Sequence, residues 1–320
     1  MMLTPMTPQE FKFLAHAVKE CTGVSLTEDR KELLQSRLKR VLKEYQLDSV
    51  PALCGAMARS DGESLKWRLA ECVAVQETYF FRDKSVFDCF EDQVLPSLIE
   101  ARKASRRLRI WCAGCSTGQE PYSVAMLLAD MADRLEGWEL EILATDFSEE
   151  ALLTAGRGVY SQFEVQRGLP VTLLVKDFKR VADGWELAPE IRERVHFRHQ
   201  NLMHNSMRHG VFDVVFCRNV LIYFDETTKR QVLSRLAQQV RADGYLLLGA
   251  TESVLGLCDG FTSLETPCPG VFRPVSAENE GKSSGAGAAD SSTASAPSSS
   301  TSSRSAGDSA AGPAIAAVGR

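Results

Sequence analysis

Residues 109–129 read RIWCAGCSTGQEPYSVAMLLA, and this run decides the fold. It parses as strand, glycine-bearing loop and helix. The β-type run is Leu108 to Ala113, and Pro121 opens the helix. Gly114 and Gly118 let backbone come close to a ligand. In a doubly wound sheet, ligands lie at the carboxyl ends of strands, where the strand order reverses. The loop from Ala113 to Glu120 is the expected place.

Working outward, β-type runs recur at Leu140 to Thr145, Val195 to Arg198, Phe212 to Cys217 and Tyr245 to Gly249. Helical runs alternate with them at Pro121 to Leu135, Glu149 to Ala155 and Glu226 to Arg241. Such alternation predicts a parallel sheet with helices on both faces. The interval Gly156 to Arg194 is too long for a simple connection. In it, Asp183-Gly184 separates Phe178-Lys-Arg-Val from Trp185-Glu-Leu, which is a hairpin signal. A small β-rich insertion is expected at about 156–194.

The N-terminal part reads as helices. Thr7-Pro8-Gln9-Glu10 combines a cap, a proline suited to the first helical position and a glutamate that closes a capping box. Phe11, Leu14 and Val18 fall on one face, and Gly23 ends the helix. A second helix begins near Thr27, with Leu34, Leu38, Val41, Leu42 and Tyr45 at helical spacing. Its other face holds Arg30, Lys31, Arg37, Lys39, Arg40 and Lys43. Two more helices are expected over Pro51 to Arg59 and Glu63 to Val73. The division is therefore a helical domain at 4–75, a linking helical region at 76–106, a sheet domain at 107–274 and a tail at 275–320. The tail is mostly Ser, Ala and Gly and should be disordered.

Of the 320 residues, 44% are hydrophobic and 25% charged, the balance of a soluble globular protein. A formal net charge of −5 counts against a general nucleic-acid binder. No run approaches the roughly 20 apolar residues that cross a bilayer. The N-terminus lacks a basic start followed by an apolar core. A cytoplasmic protein is expected. The nine cysteines, odd in number and scattered, read as reduced thiols.

Two glycines alone leave NAD, a nucleotide and S-adenosylmethionine open. Asp146 directly follows the second strand, where a ribose-binding carboxylate belongs. The loop departs from G-x-G-x-x-G, which counts against a dinucleotide. It also carries Glu120, where a pyrophosphate wants no negative charge. S-adenosylmethionine is cationic at sulfur and ammonium, so a carboxylate beside it is electrostatically sensible.

Four runs, ETYFFRD (77–83), CSTGQEPYS (115–123), ATDFSEEAL (144–152) and FDVVFCRNVLIYF (212–224), resemble the chemotaxis receptor methyltransferases, the CheR family. The resemblance covers about Thr7 to Pro274. It implies a Rossmann-like doubly wound methyltransferase sheet with a β insertion, preceded by an all-α domain. It implies S-adenosyl-L-methionine as cofactor and glutamate side chains on the cytoplasmic helices of chemotaxis-type receptors as acceptors. By motif, Gln76, Thr78, Arg82, Gly114, Glu120, Asp146, Asn201, Leu202, Arg218 and Asn219 border the cofactor, with Asn201 and Leu202 on the adenine side. Arg82 and Tyr223 are expected near the transferable methyl as orienting groups. One position departs from the family: Gln76 stands where an Asn is usual, and cofactor binding is expected to persist.

Arg37 and Arg40 match the family's R-L-x-x-R spacing, which implies contact with acidic receptor helices. In some members the insertion docks a receptor tail peptide through a longer glycine-containing loop. Here the turn is only Ala182-Asp183-Gly184, so such docking is not expected. Cys112-x-x-Cys115 reads as a packed thiol and a loop residue, and His196-x-x-His199 as residues on opposite strand faces; no metal site is expected. Tyr79-Phe80-Phe81 reads as packing that positions Arg82. Two rivals remain: a nucleic-acid amino-methyltransferase, disfavoured by Arg-Asn-Val-Leu where N/D-P-P-Y/F is usual, and a non-catalytic S-adenosylmethionine-binding adaptor.

Overall fold

The capping signals at the N-terminus are realised atom by atom. In a computed structural model that describes residues 5–204, 209–264 and 268–275, α1 spans Pro8–Thr22. The Thr7 hydroxyl accepts from the Glu10 amide, and the Glu10 carboxylate accepts from the Thr7 amide at 2.6 Å. Gly23 ends the helix at φ 78°. Next come α2 (Lys31–Glu44), preceded by a 3-10 turn over Glu28–Arg30, α3 (Val50–Met57) and α4 (Glu63–Val73). Leu14, Leu34, Leu38, Leu53 and Leu69 meet in their shared core. Truncating one of these to Ala costs about 2–5 kcal/mol. Helix α5 (Lys84–Cys89) continues through a π-helical turn, Phe90–Val94, into α6 (Leu95–Ala101).

Ten strands follow among the described residues: β1 (Arg107–Ala113), β2 (Glu139–Asp146), β3 (Val159–Tyr160), β4 (Phe178–Val181), β5 (Gly184–Leu187), β6 (Val195–His199), β7 (Phe212–Phe216), β8 (Val240–Leu247), β9 (Phe261–Ser263) and β10 (Val271–Pro274). The helices among them are α7 (Gln119–Asp130), α8 (Glu149–Arg157), α9 (Gln162–Gln166), α10 (Val171–Asp177), α11 (Pro189–Arg192) and α12 (Glu226–Ala237).

Seven strands form one sheet in the order β6-β2-β1-β7-β8-β10-β9. Strand β1 pairs in parallel with β2 on one side and β7 on the other. The order thus reverses at β1, and a crevice opens at the carboxyl ends of β1, β2 and β7. Ile110 and Cys112 join one buried layer and Trp111 and Ala113 the other, as a strand covered on both faces requires.

The sheet differs from the expectation at one edge. Strand β10 adds antiparallel to β8 and β9 antiparallel to β10, and both are too short to show a period. Helix α12 stops at Ala237, and β8 begins at Val240 instead of Tyr245. Pairing of Phe212 with Val240 draws that segment out of the helix.

The insertion is a three-stranded antiparallel sheet, β3-β5-β4. Val181 pairs with Gly184, so the connection is tight, as Asp183-Gly184 suggested. A Cβ at Gly184 would lie 2.3 Å from the Tyr160 carbonyl oxygen, so only glycine lets these strands meet.

The reading of nine reduced thiols fails for one pair. Cys89 and Cys268 form a disulfide with Cα atoms 5.8 Å apart across 179 residues. Spacing along the chain carries no information about a contact made only when α5 packs beside the C-terminal strands. Cys112 and Cys115 are free and buried. The expected tail falls almost wholly at 276–320, outside the described residues.

Candidate active site

Every cofactor-side residue expected from the motifs lines one pocket at the carboxyl ends of β1, β2 and β7. Its wall includes Gln76, Thr78, Arg82, Gly114, Glu120, Asp146, Asn201, Leu202, Arg218, Asn219 and Tyr223. These come from five separate stretches of chain, so the sheet's strand order is what assembles them.

The loop after β1 forms the floor. Gly114 sits at φ 75°, its amide donating to the Thr145 carbonyl at 2.8 Å. A Cβ there would approach Val220 Cγ2 to 2.5 Å, so the glycine lets the loop lie against the chain that follows β7. Ser116 takes φ 51°, rare for a residue with a side chain. Its amide donates to Asp146 Oδ2 at 2.8 Å, and its Oγ is buried without a partner. Ser116 lines the pocket wall. The motif reading passed over Ser116. Its signal is a small hydroxyl between two loop glycines.

Asp146 ends β2 with a buried carboxylate that also accepts from the Ser148 amide at 2.9 Å. Burial pushes its pKa up; the Ser148 and Ser116 amides and the Gln76 side chain pull it back. Gln76, the departure from the family pattern, therefore engages Asp146.

Glu120, at the start of α7, is not a free anion. Arg218 Nη1 donates to its Oε2 at 2.9 Å. Burial pushes the Glu120 carboxyl up and Arg218 pulls it down. Glu120 lines the pocket as expected, but it meets a ligand already paired through Oε2 with a protein guanidinium, a partner the sequence reading did not include. Arg218 is itself 1% exposed at the side chain, and also binds Asp83 Oδ2 at 3.0 Å and the Arg82 carbonyl. It braces 77–83 against α7.

Asn201 lines the pocket, yet its amide nitrogen donates to the Cys21 carbonyl and its Oδ1 accepts from the Met203 amide. The end of α1 is thus tied to the pocket wall. Thr78 and Leu202 lie in the wall as expected.

The aromatic run before Arg82 is packing. Phe80 is fully buried and meets Tyr160 and Phe178 edge-on at 5.0 and 5.6 Å. Phe81 and Asp83, on either side of Arg82, take φ 52° and 54°. Such conformations cost about 1–3 kcal/mol each and persist where surroundings hold them. The Phe81 amide is held by Ser123 Oγ at 3.0 Å. Arg82 lies 5.6 Å over the Tyr79 ring and donates to the Glu77 carbonyl at 2.7 Å. Among the described residues no carboxylate forms an ion pair with Arg82.

Tyr223 ends a 3-10 turn, Leu221–Tyr223, and is half-buried in the pocket wall. Burial pushes its hydroxyl pKa up, so it is a neutral donor at neutral pH. Arg30 sits 5.3 Å over its ring and also lines the pocket. The sequence reading set Arg30 on the basic face of the second helix. It belongs instead to the 3-10 turn before α2, and that turn aims it at the pocket. Arg37 and Arg40 lie outside the pocket and are exposed. Arg40 pairs with Glu150 of α8 at 3.0 Å, whereas Arg37 has no ion-pair partner among the described residues.

The pocket offers a buried carboxylate and an orphan hydroxyl at the strand ends, without a nest of glycine amides for phosphate. That donor set fits a ribose-bearing, phosphate-free ligand.

Residues 76–268 match the family description "CheR methyltransferase, SAM binding domain", and residues 9–71 match "CheR methyltransferase, all-alpha domain". The chemotaxis protein methyltransferase Cher2 of Pseudomonas putida is 34% identical over 266 residues, covering 82% of this chain and 95% of that protein. A chemotaxis protein methyltransferase of Vibrio parahaemolyticus is 34% identical over 270 residues, 83% of this chain and 97% of its own. One from Borreliella burgdorferi is 32% identical over 256 residues, 78% and 90%.

Proposed function

The chain belongs to the CheR methyltransferase family, and we propose that it esterifies glutamate side chains of chemotaxis receptors. Its activity is S-adenosylmethionine-dependent methylation of chemoreceptors in sensory adaptation. The finer reading, a glutamyl methyl ester made at this pocket, is carried by Arg82. It is a pocket cation without a carboxylate partner among the described residues, beside Tyr223.

S-adenosylmethionine supplies a methyl group on a positively charged sulfur. An oxygen of the acceptor carboxylate forms the new bond to the methyl carbon. The carbon–sulfur bond breaks, its electron pair stays on sulfur, and the products are an ester and a neutral thioether. No proton moves. A free glutamate, with pKa about 4.3, is already ionised at neutral pH, so no general base is needed. The residues therefore work by placement. Asp146 and Ser116 hold the ribose side, with Gln76 among the groups that draw the Asp146 pKa down. Arg82 orients a carboxylate, the acceptor's or the cofactor's own, through its fork of donors. Tyr223 donates toward the same end. Closure by an acceptor helix excludes water.

Substrate recognition falls to the helical domain, 4–75, with the exposed, unpaired Arg37 facing acidic receptor helices. The sheet domain, 107–274, carries the chemistry. Receptor signalling helices lie in the cytoplasm, and so does this protein. The tight turn of the insertion favours a member that finds receptors without a tail-peptide tether. A tail peptide binding the full chain tightly would refute that.

The test is transfer of tritiated methyl from S-adenosylmethionine to receptor-containing membranes. Base-labile label on the receptor is expected. Cofactor binding without label would favour the adaptor reading.

A further inference from the structure

One buried carboxylate near the pocket has no place in the chemistry above. Glu252, in the loop after β8, is 8% exposed and does not line the pocket. Its Oε2 accepts from the Asn219 amide at 2.6 Å and the Gly249 amide at 2.8 Å, and its Oε1 from the Ile222 amide at 3.2 Å. Two of these amides belong to the segment that carries Arg218, Asn219 and Tyr223.

That segment needs holding. Asn219 adopts φ 57°, a region that residues with side chains seldom occupy. The following chain turns once, through Leu221–Tyr223, before α12 begins. A single 3-10 turn has few internal bonds and leaves its leading amides unpaired. Glu252 takes up the Asn219 and Ile222 amides, like a cap supplied from another loop. Gly249 makes the approach possible: a Cβ there would lie 2.6 Å from Asn219 Nδ2 and 2.8 Å from Glu252 Oε2.

We propose that Glu252 is a positioning residue for methyl transfer, setting the conformation of Arg218 to Tyr223 through backbone amides without touching the reactants. The inference rests on the reading of this pocket as the methylation site.

Glu252→Gln separates positioning from bulk stability. Glutamine keeps one oxygen for the Asn219 and Gly249 amides but turns an NH2 group toward the Ile222 amide. The turn bearing Tyr223 should loosen while the cofactor side stays formed. Three measurements on the full chain read this. The kcat for receptor methylation should fall about 10- to 100-fold, while S-adenosylhomocysteine affinity by calorimetry stays within about 3-fold. Amide hydrogen exchange should quicken over residues 217–224 and not elsewhere. Glu252→Ala, which removes every bond, should lower cofactor affinity as well. Wild-type kcat in Glu252→Gln overturns the proposal, and so does a loss of kcat with exchange raised evenly along the chain. If the wild-type protein methylates no receptor, the function reading fails. The exchange arm then decides, and unchanged exchange at 217–224 overturns the positioning role.

Discussion

The guanidinium carbon of Arg30 lies 5.3 Å from the centre of the Tyr223 ring, joining the helical part of the chain to the Tyr223 side of the pocket. The contact places a second cation, besides Arg82, in the pocket wall. A cation–π contact of this kind is worth about 0.5–2 kcal/mol. Arg30→Ala should therefore lower kcat/KM for receptor about 3- to 30-fold, and Arg30→Lys by less. In a double-mutant cycle with Tyr223→Ala, the losses should be less than additive. Fully additive losses would mean that the two side chains act separately.

Arg37 and Arg40 should part company under charge reversal. Arg40 joins Glu150, which also faces Arg68, so reversal sets two carboxylates against each other between α2 and α8. Both partners of that pair are more than half exposed, which limits it to about 1 kcal/mol or less. Arg40→Glu should lower the melting temperature slightly, and adding Glu150→Arg should restore it only in part, because the second change sets two cations together at Arg68. Arg37→Glu should leave melting unchanged and raise the KM for receptor. Equal loss of cofactor affinity in the Arg37 variant would count against a docking role.

Cofactor affinity should depend on pH through Asp146. Its carboxyl titrates above the usual aspartate range because it is buried, and Gln76 is among the groups that lower it. An ionised carboxylate accepts from ribose hydroxyls; a protonated one loses that role. Affinity for S-adenosylhomocysteine should weaken as pH falls. In Gln76→Ala the Asp146 pKa rises further, so the weakening should begin at higher pH. Calorimetric titrations carried from neutral pH downward through the carboxylate range would show the displacement, and superimposed pH curves would remove Gln76 from the site. Gln76→Asn, the usual family residue, should bind comparably.

Asp225 supplies an acid-sensitive link between α1 and α12. It caps α12 through Thr228 and pairs with Lys19 at 2.6 Å, and these contacts hold its pKa down at about 2. A folded pKa below the unfolded value of about 3.9 means that the contribution is complete above that value. It is lost as pH falls toward 2. Lys19→Met should be less stable than wild type by under about 1 kcal/mol near neutral pH, since the pair is partly exposed. The difference should shrink as pH falls toward the folded pKa of about 2. Urea melts at pH 7 and pH 3 test this: the difference should be smaller at pH 3, and one that is undiminished or larger there would contradict it.

Much of the site was legible because its signals are local. A strand, two glycines and a helix start lie within residues 109–129, and Asp146 stands directly at a strand end. The capping box of Thr7 and Glu10 spans four residues, so composition and spacing specify it completely. The resemblance then placed Arg82, Arg218 and Tyr223 around the same loop, and all of them line its pocket. What stayed hidden was partnership. Helical spacing put Arg30 on a basic face, because periodicity reports direction from an axis and not what stands opposite.

The sequence by itself determined the alternation of strand and helix, the Ala113 to Glu120 loop and the family, since these depend on residues close together in the chain. Only the tertiary structure decided that Glu120 is matched by Arg218, that Cys89 meets Cys268, and that Glu252 holds the chain beside Tyr223. The Glu120 and Cys89 contacts close across 98 and 179 residues. Burial strengthens the Glu120–Arg218 contact by excluding water, the disulfide is covalent, and packing of the sheet chooses the partners of both.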